Sequence, residues 1–164
     1  MVRRNIAGVA LACGAVFVAG CLTGRATAPA RPRAALERTV AAYDASTSTS
    51  DPDAAVREFR ADVVVLSPQS ATPAVGHEAN RAAWVRFFAL PKAQHAIRTE
   101  EIVMSACGDM AYTRGTWSAS FARPDGTPVS GDGTLVTIWR RDRAAAARDD
   151  SVWLVAVVMA HRVH

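Results

Sequence analysis

At 164 residues the chain is long enough for one self-sustaining domain and too short for two. Its formal charge of +4 misleads, because five of its 19 basic residues (Arg3, Arg4, Arg25, Arg31 and Arg33) precede Ala34. The 14 that remain face 15 acids, which excludes the basic face that nucleic acid requires. Of three cysteines, Cys13 and Cys21 lie near the N-terminus and only Cys107 is left beyond them, so a disulfide within the domain is excluded.

The N-terminus reads as an export signal. Arg3 and Arg4 supply a charged start, and Ile6 to Ala19 is a charge-free apolar run of 14 residues. A relaxed membrane-spanning helix needs about 20, whereas this length suits the apolar region of a signal peptide. The run ends in Val18-Ala19-Gly20-Cys21, which resembles the lipobox of bacterial lipoproteins. That resemblance implies diacylglyceryl on the Cys21 thiol, cleavage before it, and an exported protein lipid-anchored to a membrane of the bacterial cell envelope. Two acyl chains anchor stably where one binds marginally. Residues 1–20 are then the signal, 21–33 a tether rich in small residues and proline, and 34–164 the domain. Basic tether residues favour anionic headgroups. Arg3-Arg4 also starts a twin-arginine signal, which Asn5-Ile6-Ala7 completes poorly, so the general secretory and twin-arginine routes both stay open.

Within the domain, Leu36, Val40 and Tyr43 fall on one face of a helix over 34–45. Asp51-Pro52-Asp53 starts a second, short helix, with Asp51 as N-cap and proline at the first position. It carries Val56 and Phe59 inward. Three consecutive valines mark a strand over 62–66, stopped by Ser67-Pro68. After Gly76 a helix over 79–90 shows the apolar face Trp84, Phe87 and Phe88, and Pro91 ends it. Strands follow over 96–105, 110–121, 128–140 and 151–163. The turn Cys107-Gly108-Asp109 joins the first two, and Pro124-Asp125-Gly126 makes a tight hairpin between the next two. Gly131-Asp132-Gly133 suggests a bulge, and 141–150 is a charged, alanine-rich loop. The order, helices first and then a four-strand meander, is an α+β pattern.

These segments resemble the α+β superfamily of nuclear transport factor 2, ketosteroid isomerase and SnoaL-like proteins, and within it the SnoaL-like branch known as domain of unknown function 4440. The resemblance rests on Asp53-Ala-Ala-Val-Arg-Glu-Phe59, Asp62-Val-Val-Val-Leu66, Gly76-His-Glu-Ala79 and Trp84. It continues through Gly108 to Trp117, Pro124-Asp-Gly126, Val136-Thr-Ile-Trp-Arg-Arg141 and Trp153. It implies a cone-shaped, curved antiparallel sheet wrapped on three helices, a pocket at one end, and a homodimer through the outer sheet face. It does not imply one activity, since the scaffold hosts enzymes and binding domains alike.

In the isomerase relatives a general-base aspartate stands before a proline at the end of the first strand. The matching residue here is Ser67, which without a partner base cannot take a carbon-bound proton near neutral pH. Where the branch often carries an acid on the last strand, this chain has Val158, with Ala156 and Ala160 expected beside it on the same face. Tyr43, Ser67, Trp84, Trp117 and His161 remain to line a pocket for a small hydrophobic molecule. His161 and Ser67 are the candidate catalytic groups, with core packing the alternative for the aromatic residues. His161 and His164 alternate faces and make a poor metal pair. His77 is expected to be exposed, Glu100 and Glu101 to face opposite ways, Asp132 to serve the bulge, and Cys107 to be inert. Gly131-Asp-Gly133 lacks the setting of a nucleotide loop. No metal or cofactor is expected. A binding module is the leading reading, and an isomerase, hydrolase or dehydratase acting on a small hydrophobic molecule is the alternative.

Labelled fatty acid is expected to enter the wild-type protein and not Cys21→Ser, which should accumulate as uncut precursor. Equal labelling of the two would remove the anchor and the localisation together.

Overall fold

The computed structural model describes residues 30–142 and 152–162. The expected signal peptide, Cys21, most of the expected 141–150 loop and His164 lie outside them. Three helices, α1 (Ala30–Ser46), α2 (Pro52–Ala55) and α3 (His77–Phe88), accompany six strands. The strands are β1 (Phe59–Leu66), β2 (Ala74–Val75), β3 (Gln94–Met104), β4 (Met110–Ala122), β5 (Pro128–Arg141) and β6 (Trp153–Arg162). They form one sheet in the order β2-β1-β6-β5-β4-β3. The four-strand meander is present, and β1 joins it alongside β6 as the sheet's parallel pair.

Helix α1 starts four residues earlier than the sequence pattern suggests, so Ala30 to Arg33 belong to the folded domain and not to a tether. Proline is tolerated in a first helical turn because its missing N–H would have no helical partner there. Pro32 is buried, and its carbonyl accepts the Trp153 indole N–H at 3.1 Å. One face of α1 then buries Ala35, Leu36, Val40 and Tyr43. Asp51 caps α2 by accepting from the Asp53 N–H at 2.9 Å.

Gly76 precedes α3 at φ 87, a conformation open to glycine and costly for other residues. Its N–H donates to the Val63 carbonyl at 2.8 Å. The exposed position expected for His77 is not found: the ring is part-buried, with Nε2 at 3.1 Å from the Val56 carbonyl.

The bulge expected at Gly131-Asp132-Gly133 is absent, since β4 and β5 pair without interruption from Met110–Arg140 to Ala122–Pro128. Gly133 serves a different purpose. A Cβ there would come within 1.9 Å of the His161 carbonyl oxygen and 2.9 Å of the Trp117 indole nitrogen. The bulges lie elsewhere. In β3, Thr99 and Glu101 face adjacent residues of β4, leaving Glu100 extra. In β6, Val157 and Val155 face adjacent residues of β5, leaving Ala156 extra.

An extra residue inverts which alternate positions face inward. In β3 the core side therefore passes from Ile97 to Ile102 and Met104, and in β6 from Trp153 and Val155 to Val158 and Ala160. This corrects the expectation that Ala156 shares a face with Val158 and Ala160. The core is one cluster in which Tyr43, Trp117, Trp139 and Trp153 are the largest members. Tyr43 meets Trp139 edge-on at 5.5 Å and Phe59 at 6.1 Å. Burying each such ring contributes a few kcal/mol.

Candidate functional site

The space between α1 and the sheet is occupied by side chains that the sequence reading assigns to a pocket. Tyr43 and Trp117 are 2% and 5% exposed. Burial raises the Tyr43 hydroxyl pKa, and the Asp44 and Glu58 carboxylates add to the rise. The Trp117 indole donates to the His161 carbonyl at 3.2 Å. The His161 side chain itself is exposed, because neighbouring Ala160 takes the inward position. Ser67 is at the end of β1, where its hydroxyl donates to the Gln69 side-chain oxygen. Tyr43 and Trp117 thus share the core, Trp84 packs against it from α3, and Ser67 and His161 stand apart from them.

A group that the sequence reading missed lies beside Trp84. His95, near the start of β3, faces inward and meets the Trp84 ring edge-on at 4.8 Å and Phe87 at 6.1 Å. Trp84 stacks on Phe88 at 5.2 Å, and Phe87 meets Phe121 at 6.5 Å. The Nδ1 atom of His95 is buried without a hydrogen-bond partner. Desolvation lowers its imidazole pKa to about 4, so the ring is neutral at neutral pH.

Two other carboxyls border the core. Asp44 accepts from the Thr99 N–H at 2.8 Å and the Thr99 hydroxyl at 3.1 Å, holding β3 next to its bulge. Burial raises its pKa and the Thr99 bonds partly offset that. Burial likewise raises Glu58, whose Oε2 is buried without a partner. Among the described residues, none of Asp44, Glu58 and His95 hydrogen-bonds another. Of the remaining acids, Glu101 pairs with Arg114 at 3.0 Å, while Glu100 and Asp132 are exposed. Cys107 is a free, exposed thiol.

The open volume lies over the strands that the core supports from beneath. A cleft of about 590 Å³ runs from Ser48 and Ser50, after α1, across His95, Ser120 and Ser130. A groove of about 380 Å³ adjoins it and extends past Arg98, Thr116 and Thr134. The cleft is the more polar of the two, and of the five residues expected to line a pocket Trp117 borders the groove, with Ile97 beside it.

Residues 36–148 match the family described as the SnoaL-like domain. The chain belongs to that family. The SnoaL-like chain is also similar to solved structures. A ketosteroid isomerase-like protein from Erwinia carotovora atroseptica aligns with a TM-score of 0.65 at 17% identity, over 80% of this chain and 95% of that one. A nuclear transport factor 2-like superfamily protein from Salmonella enterica gives 0.63 at 13%, over 81% and 92%. A protein provisionally named an aromatic ring hydroxylase, from Novosphingobium aromaticivorans, gives 0.65 at 26%, over 84% and 93%. These likenesses show the ketosteroid isomerase-like α+β fold. No curated protein matches the SnoaL-like chain in sequence.

The buried imidazole has a measurable consequence. Its folded pKa of about 4 lies below the unfolded value of 6.5, so as pH falls between them the unfolded chain takes up the proton and the folded one does not. Stability is then lost from about pH 6.5 down to about pH 4 by roughly 2–3 kcal/mol. His95→Phe is expected to keep or raise stability at pH 7, where it removes an unsatisfied nitrogen, and to flatten this acid slope. Urea melts at pH 7 and pH 4.5 check both. An equally steep slope in the variant would assign the acid sensitivity to other groups.

Proposed function

We propose that the protein is a lipid-anchored, dimeric SnoaL-like module of the bacterial cell envelope that binds a small molecule without transforming it. The observation that carries this reading is the filled cone. Tyr43, Trp117, Trp139 and Trp153 pack into one core, while Asp44, Glu58 and His95 make no hydrogen bond to one another. Acid–base catalysis needs titratable groups converging on one cavity. Of the two candidate catalytic residues, Ser67 bonds to Gln69 and His161 faces solvent.

The reading is tested by a turnover screen of the chain from residue 21 onward carrying Cys21→Ser, with steroid enones, epoxides and dehydratable alcohols. No rate above buffer is expected. Turnover abolished by His161→Ala or Ser67→Ala in a folded variant would replace the module with an enzyme.

Dimerisation is supported by the outer sheet face. Val64, Val157, Ile138, Tyr112 and Val103 pair in one continuous cross-strand row. Leu66, Met159 and Val136 form the adjoining row. Tyr112, Leu66 and Met159 are each more than 40% exposed, and an apolar band of this kind on a sheet face calls for a cover. The same Cys21→Ser chain is expected to sediment as a dimer at micromolar concentration, and Tyr112→Asp as a monomer of unchanged fold. A monomeric parent would count against the interface.

A further inference from the structure

Beyond the apolar band, the outer face changes character. Three successive cross-strand rows continue across β3, β4 and β5: Arg98–Thr116–Thr134, then Ala96–Ser118–Asp132, then Gln94–Ser120–Ser130. They line the two adjoining depressions, to which Ser48 and Ser50 add a wall from the turn after α1. With two-residue steps along the strands and neighbouring strands just under 5 Å apart, this floor measures about 14 Å by 10 Å.

The lining makes a chemical selection. Among the described residues, the hydroxyls of Thr116, Ser118, Ser130 and Thr134 have no hydrogen-bond partner, and Arg98 and Asp132 no ion-pair partner. Each hydroxyl offers one donor and two acceptor positions. One cation and one anion leave the floor without net charge, which gives a phosphate or carboxylate little to gain. The apolar lining is Ala93, Ala96 and Ala119 together with Ile97 and Trp117; the last three turn their side chains to the core, which leaves little apolar area to desolvate a large ligand. Ser50 is held at φ 58 on the rim, a conformation that costs a serine energy and recurs where a loop borders a ligand.

We infer that this groove binds a neutral, multiply hydroxylated ligand of extended shape, a short oligosaccharide segment, through the outward hydroxyls of β4 and β5 with Arg98 and Asp132. This rests on the binding-module reading and names its ligand class. It places the site on the outer face of the sheet, away from the filled cone.

The test uses the chain from residue 21 onward carrying Cys21→Ser, labelled with nitrogen-15, titrated separately with maltotriose, chitotriose, inorganic phosphate and the neutral apolar dye N-phenyl-1-naphthylamine. One trisaccharide is expected to shift the backbone amides of 116–120 and 130–134 in a saturable manner. The triple variant Thr116→Ala, Ser118→Ala, Thr134→Ala should keep a dispersed spectrum and bind at least tenfold more weakly. Should the triple variant lose its dispersed spectrum, Ser118→Ala alone is expected to weaken binding measurably. Saccharide binding unchanged in a folded variant would overturn the site. Phosphate moving the same amides in place of saccharide would overturn the ligand class. If neither trisaccharide binds at about 10 mM while the dye saturates near Trp84 and Phe88, the groove proposal fails and the binding module stands. If no probe binds and the turnover screen finds a substrate, both fail.

Discussion

Three buried indoles each need an acceptor for their N–H, and the way they find one ties the domain together. An unsatisfied buried donor costs roughly 1–3 kcal/mol, so each tryptophan constrains whatever lies opposite it. Trp153 reaches the Pro32 carbonyl at the start of α1. Trp139 reaches the Thr113 hydroxyl on β4 at 3.1 Å. Trp117 reaches the His161 carbonyl on β6, crossing β5 where Gly133 leaves room. Helix start, central strands and last strand are thereby fastened by groups that a purely aliphatic core would not contain.

The same economy explains why the site lies where it does. The indoles and Tyr43 pack into one core beneath the sheet, and the acid beside them at the end of α1 serves structure. Asp44 shows this best: its carboxyl takes both the N–H and the hydroxyl of Thr99 next to the β3 bulge. A carboxylate used as a backbone clamp has both oxygens engaged and is poorly placed to move protons. In the reading proposed above, recognition falls to the exterior of the sheet, where outward side chains vary without disturbing the core.

Much of the fold was legible because local chemistry repeats along it. Leu36, Val40 and Tyr43 mark the α1 face, Asp51-Pro52 the start of α2, and Asp125-Gly126 the hairpin. The misreadings have physical causes. Strand β2 has two residues, too few for any period. The bulges at Glu100 and Ala156 use residues with no bulge signature, whereas Gly131-Asp132-Gly133 has one and is regular, its second glycine answering to an indole 16 residues earlier. The parallel β1–β6 pairing joins segments at opposite ends of the domain. His95 was overlooked because one histidine in an alternating strand carries no mark of burial; the rings that meet it, Trp84 and Phe87, come from α3. The polar groove appears only once β3, β4 and β5 are aligned, since no single strand contains it.

The early start of α1 bears on how the domain meets a membrane. If lipid sits on Cys21, only residues 22–29 separate it from the first helical residue. Eight residues fully extended reach about 26–29 Å, comparable with the diameter of a small domain. The Trp153–Pro32 bond fixes the foot of that leash to the last strand of the sheet. The domain would then ride against the headgroups with one end turned toward them, able to meet ligands arriving along the surface and unable to search far above it.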